Sequence, residues 1–280
     1  MFGSALHMRI LFFLLLTVFN AVMLHWFRED PGWRLLEPYV WETDAFREMK
    51  LGTEVLGTDY ETLAALMLKN DFDLTALSRE EIPGDESFLS GLISELLPWK
   101  ETAFYKLADA YKTVLTDLKY FPVPSSCRSD TPDVTYEDSW QQARTYGGER
   151  GHEGCDIMGM ERGRGFYPVI SASDGVVEKK GWLEQGGWRL GIRSPSGAYL
   201  YYAHLYSYAE GIEEGASVRA GQLLGFMGDS GYGKEENTVG NFAVHLHFGI
   251  YVKTEHFDEL SVNPYWILKG LENNRLVFDF

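Results

Sequence analysis

Phe121-Pro122-Val123-Pro124 is the point at which this chain changes character. Each proline lacks an amide hydrogen, fixes its own φ and pushes the preceding residue out of the helical region. Two of them so close together end a helix and extend the backbone. Before the break, apolar residues recur at helical spacing. After it, glycine becomes frequent, and short β-branched or aromatic runs alternate with turn signals. The expected fold class is therefore α+β: an N-terminal membrane anchor and helical region, followed by a C-terminal, mostly antiparallel β domain.

The helical region spans residues 31–120. Thr58 and Glu61 have the spacing of a capping box at the head of TDYETLAALMLKN, in which Tyr60, Leu63, Leu66 and Met67 share a face. Asp85–Trp99 repeats the pattern through Phe88, Leu89, Leu92, Ile93 and Leu96, and Glu101–Leu118 adds a third amphipathic run. Such stripes build cores, and no chemistry is assigned to them. A protein partner, a spacer or a cover over the β domain are the roles open to this region.

Residues 1–30 read as a signal anchor or transmembrane segment. Ile10–Phe27 is almost unbroken apolar sequence, near the lower limit for crossing a bilayer, with Arg9 before it. The run ends in Met23, Leu24, His25 and Trp26, which are too bulky for the small-residue site at which an export signal is removed. The expectation is a single-pass anchor in the cell membrane. Trp26 and Trp33 would lie in the outer headgroup layer and the remainder outside the cytoplasm. A secreted protein results if the segment is cleaved.

Composition narrows the function. With 41 acidic and 25 basic residues the formal net charge is −16. That field repels phosphate backbones and argues against nucleic-acid binding, and any anionic substrate must be recognised locally, in a cleft. Two cysteines are too few for a cysteine zinc site or a disulfide scaffold, although Cys127 and Cys155 could form a single bridge outside the cytoplasm.

Five residues carry chemical interest: His152 and Asp156 in GHEGCDIM, His204 in YYAHL, and His245 with His247 in VHLHFGIYV. Gly151 and Gly154 disfavour a helix, so GHEGCD reads as extended. Positions two or four apart then share a face. His152 and Asp156 project together, with Cys155 opposite. His245 and His247 share a face, with Val244, Leu246 and Phe248 toward a core. Two imidazoles within an apolar strand are costly to bury without partners, and metal is an economical partner. A catalytic zinc needs three protein ligands and one open position, which leaves two of the five candidates for acid, base or oxyanion roles.

The ordered set HEGCD at 152–156, ASDGVV at 172–177, YAHL at 202–205 and HLHF at 245–248 resembles the lysostaphin/LytM-type zinc metallopeptidases. EEGASVRAGQLLGFMGDSGYG and VNPYWIL strengthen the likeness, which covers about residues 121–270. The resemblance implies a LytM-type domain, a duplicated hybrid motif with a groove, over residues 121–280. It implies Zn2+ held by His152, Asp156 and His247, with His204 and His245 as the catalytic histidines. The activity implied is hydrolysis of peptidoglycan stem or cross-bridge peptides by zinc-activated water. Met158–Tyr167, MGMERGRGFY, departs from a shorter and plainer connection and is expected to reshape one groove wall. The alternative on the same scaffold is a non-catalytic peptidoglycan-binding or regulatory domain in a membrane assembly.

Three other fragments invite misreading. Gly228-Asp229-Ser230-Gly231 looks like a serine nucleophile loop but also makes a plain turn, Gly231-Tyr232-Gly233-Lys234 lacks phosphate-loop spacing, and His256 reads as a solvated loop residue.

Overall fold

A computed structural model describes residues 11–23, 36–55, 57–82 and 86–280, without the side chains of 86–89 and 92–99. Residues 11–23 are helical, and their apolar side chains are exposed, Phe12 and Phe13 by more than 60%. No helix among the described residues is long and apolar enough to cross a membrane. The rest of the expected anchor, including Trp26 and Trp33, lies outside the described residues.

Three helices follow: α1 (Asp44–Arg47), α2 (Tyr60–Lys69) and α3 (Glu86–Leu115). The cap of α2 is Asp59, whose carboxylate accepts from the Thr62 amide at 2.9 Å, one residue later than the expected capping box at Thr58. The Thr58 amide instead donates to Val55 O, which holds Thr58 in the preceding turn. Thr62 through Leu68 are all buried, so α2 is enclosed by its neighbours instead of showing a polar face. The two amphipathic runs expected beyond Asp85 form one helix, α3, which continues through Pro98. The ring removes one backbone bond, a local cost that packing along the helix overcomes. Phe104, Leu107, Ala108, Tyr111 and Val114 form a fully buried stripe at helical spacing.

Beyond the prolines lie β1 (Ser125–Ser126), β2 (Ala143–Arg144), β3 (Arg150–Gly151), β4 (Cys155–Met158), β5 (Pro168–Ile170), β6 (Gly175–Leu183), β7 (Gly187–Arg193), β8 (Tyr199–Tyr208), β9 (Ser217–Val218), β10 (Leu223–Met227), β11 (His245–Val252), β12 (Leu260–Val262), α4 (Tyr265–Leu271) and β13 (Val277–Phe278). The main sheet runs β12-β11-β8-β7-β6-β9, with β4 on β11 and with β10 between β5 and β8. Its pairings are antiparallel, and among the named strands the short β1–β13 pair is parallel. The domain is thus mostly antiparallel β, as expected.

The two expected hairpins part company. Ser194–Gly197 joins β7 and β8, which pair, with Gly197 at φ +103° to close the turn. Ser173-Asp174-Gly175 joins β5 and β6, which do not pair with each other. The incoming linker takes up this turn: Lys119 N donates to Ala172 O, and Asp174 accepts from Ala220 N while pairing with Lys119.

Alternation along β4 and β11 sets the site. Cys155, Ile157, Leu246 and Phe248 are fully buried in the core, while Asp156 and His247 face the other way. Cys155 is buried, Cys127 is exposed, and both thiols are free, so they form no bridge. The helical region shares this core: α3 packs on α2 and reaches β11. Arg47 Nε donates to Ser261 O on β12 at 2.9 Å. His256 is more than a solvated loop residue. It pairs with Glu42 at 2.9 Å and packs its ring on Tyr39, tying the same two parts together.

Candidate active site

Antiparallel pairing places Asp156 of β4 directly opposite His247 of β11, and His152 arrives from the loop just before β4. The three ligand atoms form a near-equilateral triangle. His152 Nε2 lies 2.9 Å from His247 Nδ1 and 3.0 Å from Asp156 Oδ1, and His247 Nδ1 lies 3.0 Å from the same oxygen. Ligand atoms of a four-coordinate zinc, at about 2.0–2.1 Å from the ion, are separated by a little over 3 Å. The triangle fits that group, and two imidazoles with a carboxylate are the right donor chemistry. His152, Asp156 and His247 form a cluster able to hold a metal ion.

His245 and His204 stand beside the triangle. His245 Nε2 is 3.6 Å from Asp156 Oδ1, and the His204 and His245 rings are 4.7 Å apart. Each points its Nδ1 at a backbone carbonyl at 2.7 Å, Ser230 O for His204 and Ala243 O for His245. An Nδ1–H donated there leaves Nε2 as a free lone pair. His152 is held in the same manner, with Nδ1 3.0 Å from Ser139 O, so that Nε2 faces the triangle. Burial, and then repulsion from His245 and His247, hold His204 well below the ordinary histidine value and keep it neutral. Burial alone would raise the Asp156 carboxyl, but the close contacts with the His152 and His247 side chains hold it below the usual carboxylate range.

The backbone aims these side chains. His204 sits at φ +62°, in the left-handed region. There the β7–β8 ladder slips from Trp188 opposite Leu205 to Leu190 opposite Tyr202, so Ala203 and His204 together oppose Arg189. This β-bulge turns His204 toward the triangle at a local backbone cost of about 1–2 kcal/mol. Gly154 has a steric reason: a Cβ there would lie 2.6 Å from His247 Cε1 and 2.7 Å from Phe248 O.

Several contributors carry no sequence signal of their own. Ser139 orients His152 through its carbonyl, with its hydroxyl also 3.1 Å away. Arg144 donates to the second oxygen of Asp156 at 2.8 Å. Tyr201 sets its ring edge-on to His247 at 5.9 Å. Ser230 is no nucleophile: its hydroxyl donates to Leu205 O, accepts from Trp188 N and is buried. Arg144, Tyr201 and the five candidate residues open onto a groove of about 400 Å³. Met158–Tyr167 lies off that groove. Arg164 pairs there with Asp229, and Tyr167 donates to Pro132 O and Met160 O. Among the described residues, nothing before Arg144 lines the groove, so the described part of the helical region does not cover it.

Comparison with known proteins adds to this geometry. The profile of peptidase family M23 matches residues 150–259. The chain is 41% identical over 182 residues to an L-Ala–D-Glu endopeptidase of Bacillus subtilis (strain 168), covering 65% of this chain and 50% of that enzyme. It is 33% identical over 97 residues to lysostaphin of Staphylococcus simulans, covering 32% of this chain and 18% of that protein. It thus spans half or less of the length of these two relatives. A crystal structure from Ruminococcus gnavus ATCC 29149, described as a candidate glycyl-glycine endopeptidase lytM, superposes with a TM-score of 0.74 at 39% identity. That match covers 90% of this chain and 99% of the other, and so takes in the helical region as well as the β domain.

Proposed function

This chain belongs to peptidase family M23, and from that premise we propose that it is a zinc-dependent endopeptidase acting on the peptides of bacterial peptidoglycan. The observation that carries the reading is the triangle of His152 Nε2, Asp156 Oδ1 and His247 Nδ1, with His245 Nε2 and the His204 ring beside it. Zinc held there supplies a Lewis acid and a bound water that ionises near neutral pH.

The remaining chemistry falls to side chains. Asp156 contributes the one anionic ligand, with Arg144 fixing its free oxygen. His204 and His245, each with Nδ1 engaged and Nε2 free, accept the proton of the attacking water, return it to the leaving amine and steady the tetrahedral oxyanion. The relatives' names point to two kinds of bond, L-Ala–D-Glu and glycyl-glycine, and both are peptide links of the wall.

The apolar N-terminal segment is read as the membrane attachment, with the catalytic domain on the wall side, a reading supported by the exposed Leu11, Phe12, Phe13 and Phe19. The helical region, docked behind β11 and β12, serves as a brace for the sheet.

Purified full-length protein should contain zinc and release new amino termini from cell walls. A chelator should abolish the release, and added zinc should restore it. Zinc-loaded protein that binds walls yet releases nothing would favour the non-catalytic alternative.

A further inference from the structure

The groove is lined by Arg144, Arg150, Lys179 and Arg189, four cations in a chain of net charge −16. Arg144 is engaged by Asp156. Among the described residues, Arg150, Lys179 and Arg189 join no ion pair, although their neighbours do. Lys180, next along β6, pairs with Glu213, and Arg193, further along β7, pairs with Glu178. Arg150 Nε and Arg189 Nη1 are buried with no acceptor, while both residues are only part-buried and line the groove. A buried guanidinium N–H is normally paired, so two in one groove need a reason. With 41 carboxylates in the chain, leaving this wall unmatched points to an anion that arrives from outside.

The wall adjoins the triangle. Arg150 and Arg189 both act electrostatically on the Tyr201 hydroxyl, and the Tyr201 ring lies 5.9 Å from His247. Glu153 and Glu259 line the same groove, where both act on Tyr251, and they form no ion pair with the three cations. The groove therefore carries both signs, with its unpaired arginines one aromatic ring away from a metal ligand.

We infer that Arg150, Arg189 and Lys179 form a carboxylate subsite beside the scissile bond, so that the substrate is an acidic stem peptide cut next to a glutamyl residue and not a neutral glycine bridge. This rests on the peptidase reading above. A glutamyl residue linked through either of its carboxyl groups keeps the other free, one anion per residue. A run of glycines offers no anion, and a wall of three cations would gain nothing from it. Arginine suits the role because its planar fork matches a carboxylate, and the exposed Lys179 adds a less directional charge.

The test uses full-length, zinc-loaded protein with three peptides: one containing L-Ala-D-Glu with the glutamyl carboxyl free, the same peptide with that carboxyl as an amide, and pentaglycine. Hydrolysis is measured for each, and calorimetry follows binding of non-cleavable ketomethylene isosteres of the acid and amide forms. The acid should be favoured over the amide by about ten- to a hundredfold, mainly in KM and in binding, with pentaglycine poorest. Arg189→Gln and Arg150→Gln should each erase most of that preference, and Lys179→Gln, at an exposed position, should reduce it several-fold while the protein stays folded. Equal treatment of acid and amide, faster cutting of pentaglycine, or a preference that survives all three variants would overturn the subsite. A binding preference that follows the variants without any hydrolysis would uphold the subsite and remove the peptidase reading instead.

Discussion

His152 Nδ1 lies 3.0 Å from the carbonyl oxygen of Ser139, thirteen residues earlier in the chain, and that contact fixes which nitrogen of His152 is left for a metal. The carbonyl belongs to the backbone, so it survives substitution of the Ser139 side chain. Ser139→Ala should weaken zinc binding by less than about tenfold, at the lower edge of what outer contacts to a metal ligand contribute. Competition with a chromogenic chelator measures this, and a hundredfold loss would mean that the hydroxyl, and not the carbonyl, orients the ring.

His204 and His247 should separate chemistry from metal binding. His204→Ala should retain zinc while turnover falls about 10²- to 10⁴-fold. His247→Ala should lose both. Metal analysis of the two purified variants beside wall hydrolysis gives the answer, and equal zinc retention in both would contradict the roles proposed.

Gly154→Ala tests the steric logic of the site. Its Cβ would collide with the His247 ring and with Phe248 O, a backbone atom that cannot swing away. The expected result is lower zinc occupancy and a loss of stability of about 1–3 kcal/mol. Thermal melting and metal content check it together.

Acid should destabilise the metal-stripped protein in a defined window. His204 and His247 are pushed below the ordinary histidine value, in each case first by burial, so the unfolded chain takes up protons that the folded chain refuses. Their contribution is full above about pH 6.5 and is lost as pH falls through that value. The depressed Asp156 carboxyl adds a second loss lower down, beginning near about pH 4, where the unfolded carboxyl protonates. Melting temperatures of chelator-treated protein from pH 8 to pH 4 should fall first below about pH 6.5. A flat profile from pH 7 to pH 5 would rule out buried neutral histidines.

Local periodicity was the part of the molecule legible in the sequence. The i, i+2 spacing of His245 and His247 put both on one side of β11, with Leu246 and Phe248 in the core. The same period put Cys155 opposite Asp156. What local pattern could not show was contact across long separations. Ser139, Arg144 and Tyr201 reach the site only through sheet register and loop closure. The turn at Asp174 looked like a hairpin because its residues suit one, but strand partners are chosen by the whole sheet. Similarly, the runs Asp85–Trp99 and Glu101–Leu118 read as two separate segments, but they are continuous in α3, because helical periodicity does not by itself say where one helix ends.

The left-handed residue inside β8 makes the aim of His204 a matter of counting. Remove one residue between Tyr202 and Leu205 and the ladder with β7 could run straight, with Leu205 still opposite Trp188, but the left-handed bulge that aims the imidazole at the triangle would be gone. An evolving lineage can therefore lengthen or trim this hairpin at Ser194–Gly197, where the turn is far from His204 in the chain. It cannot do so at the other end, where insertions and deletions are silenced as firmly as substitutions of the histidine itself.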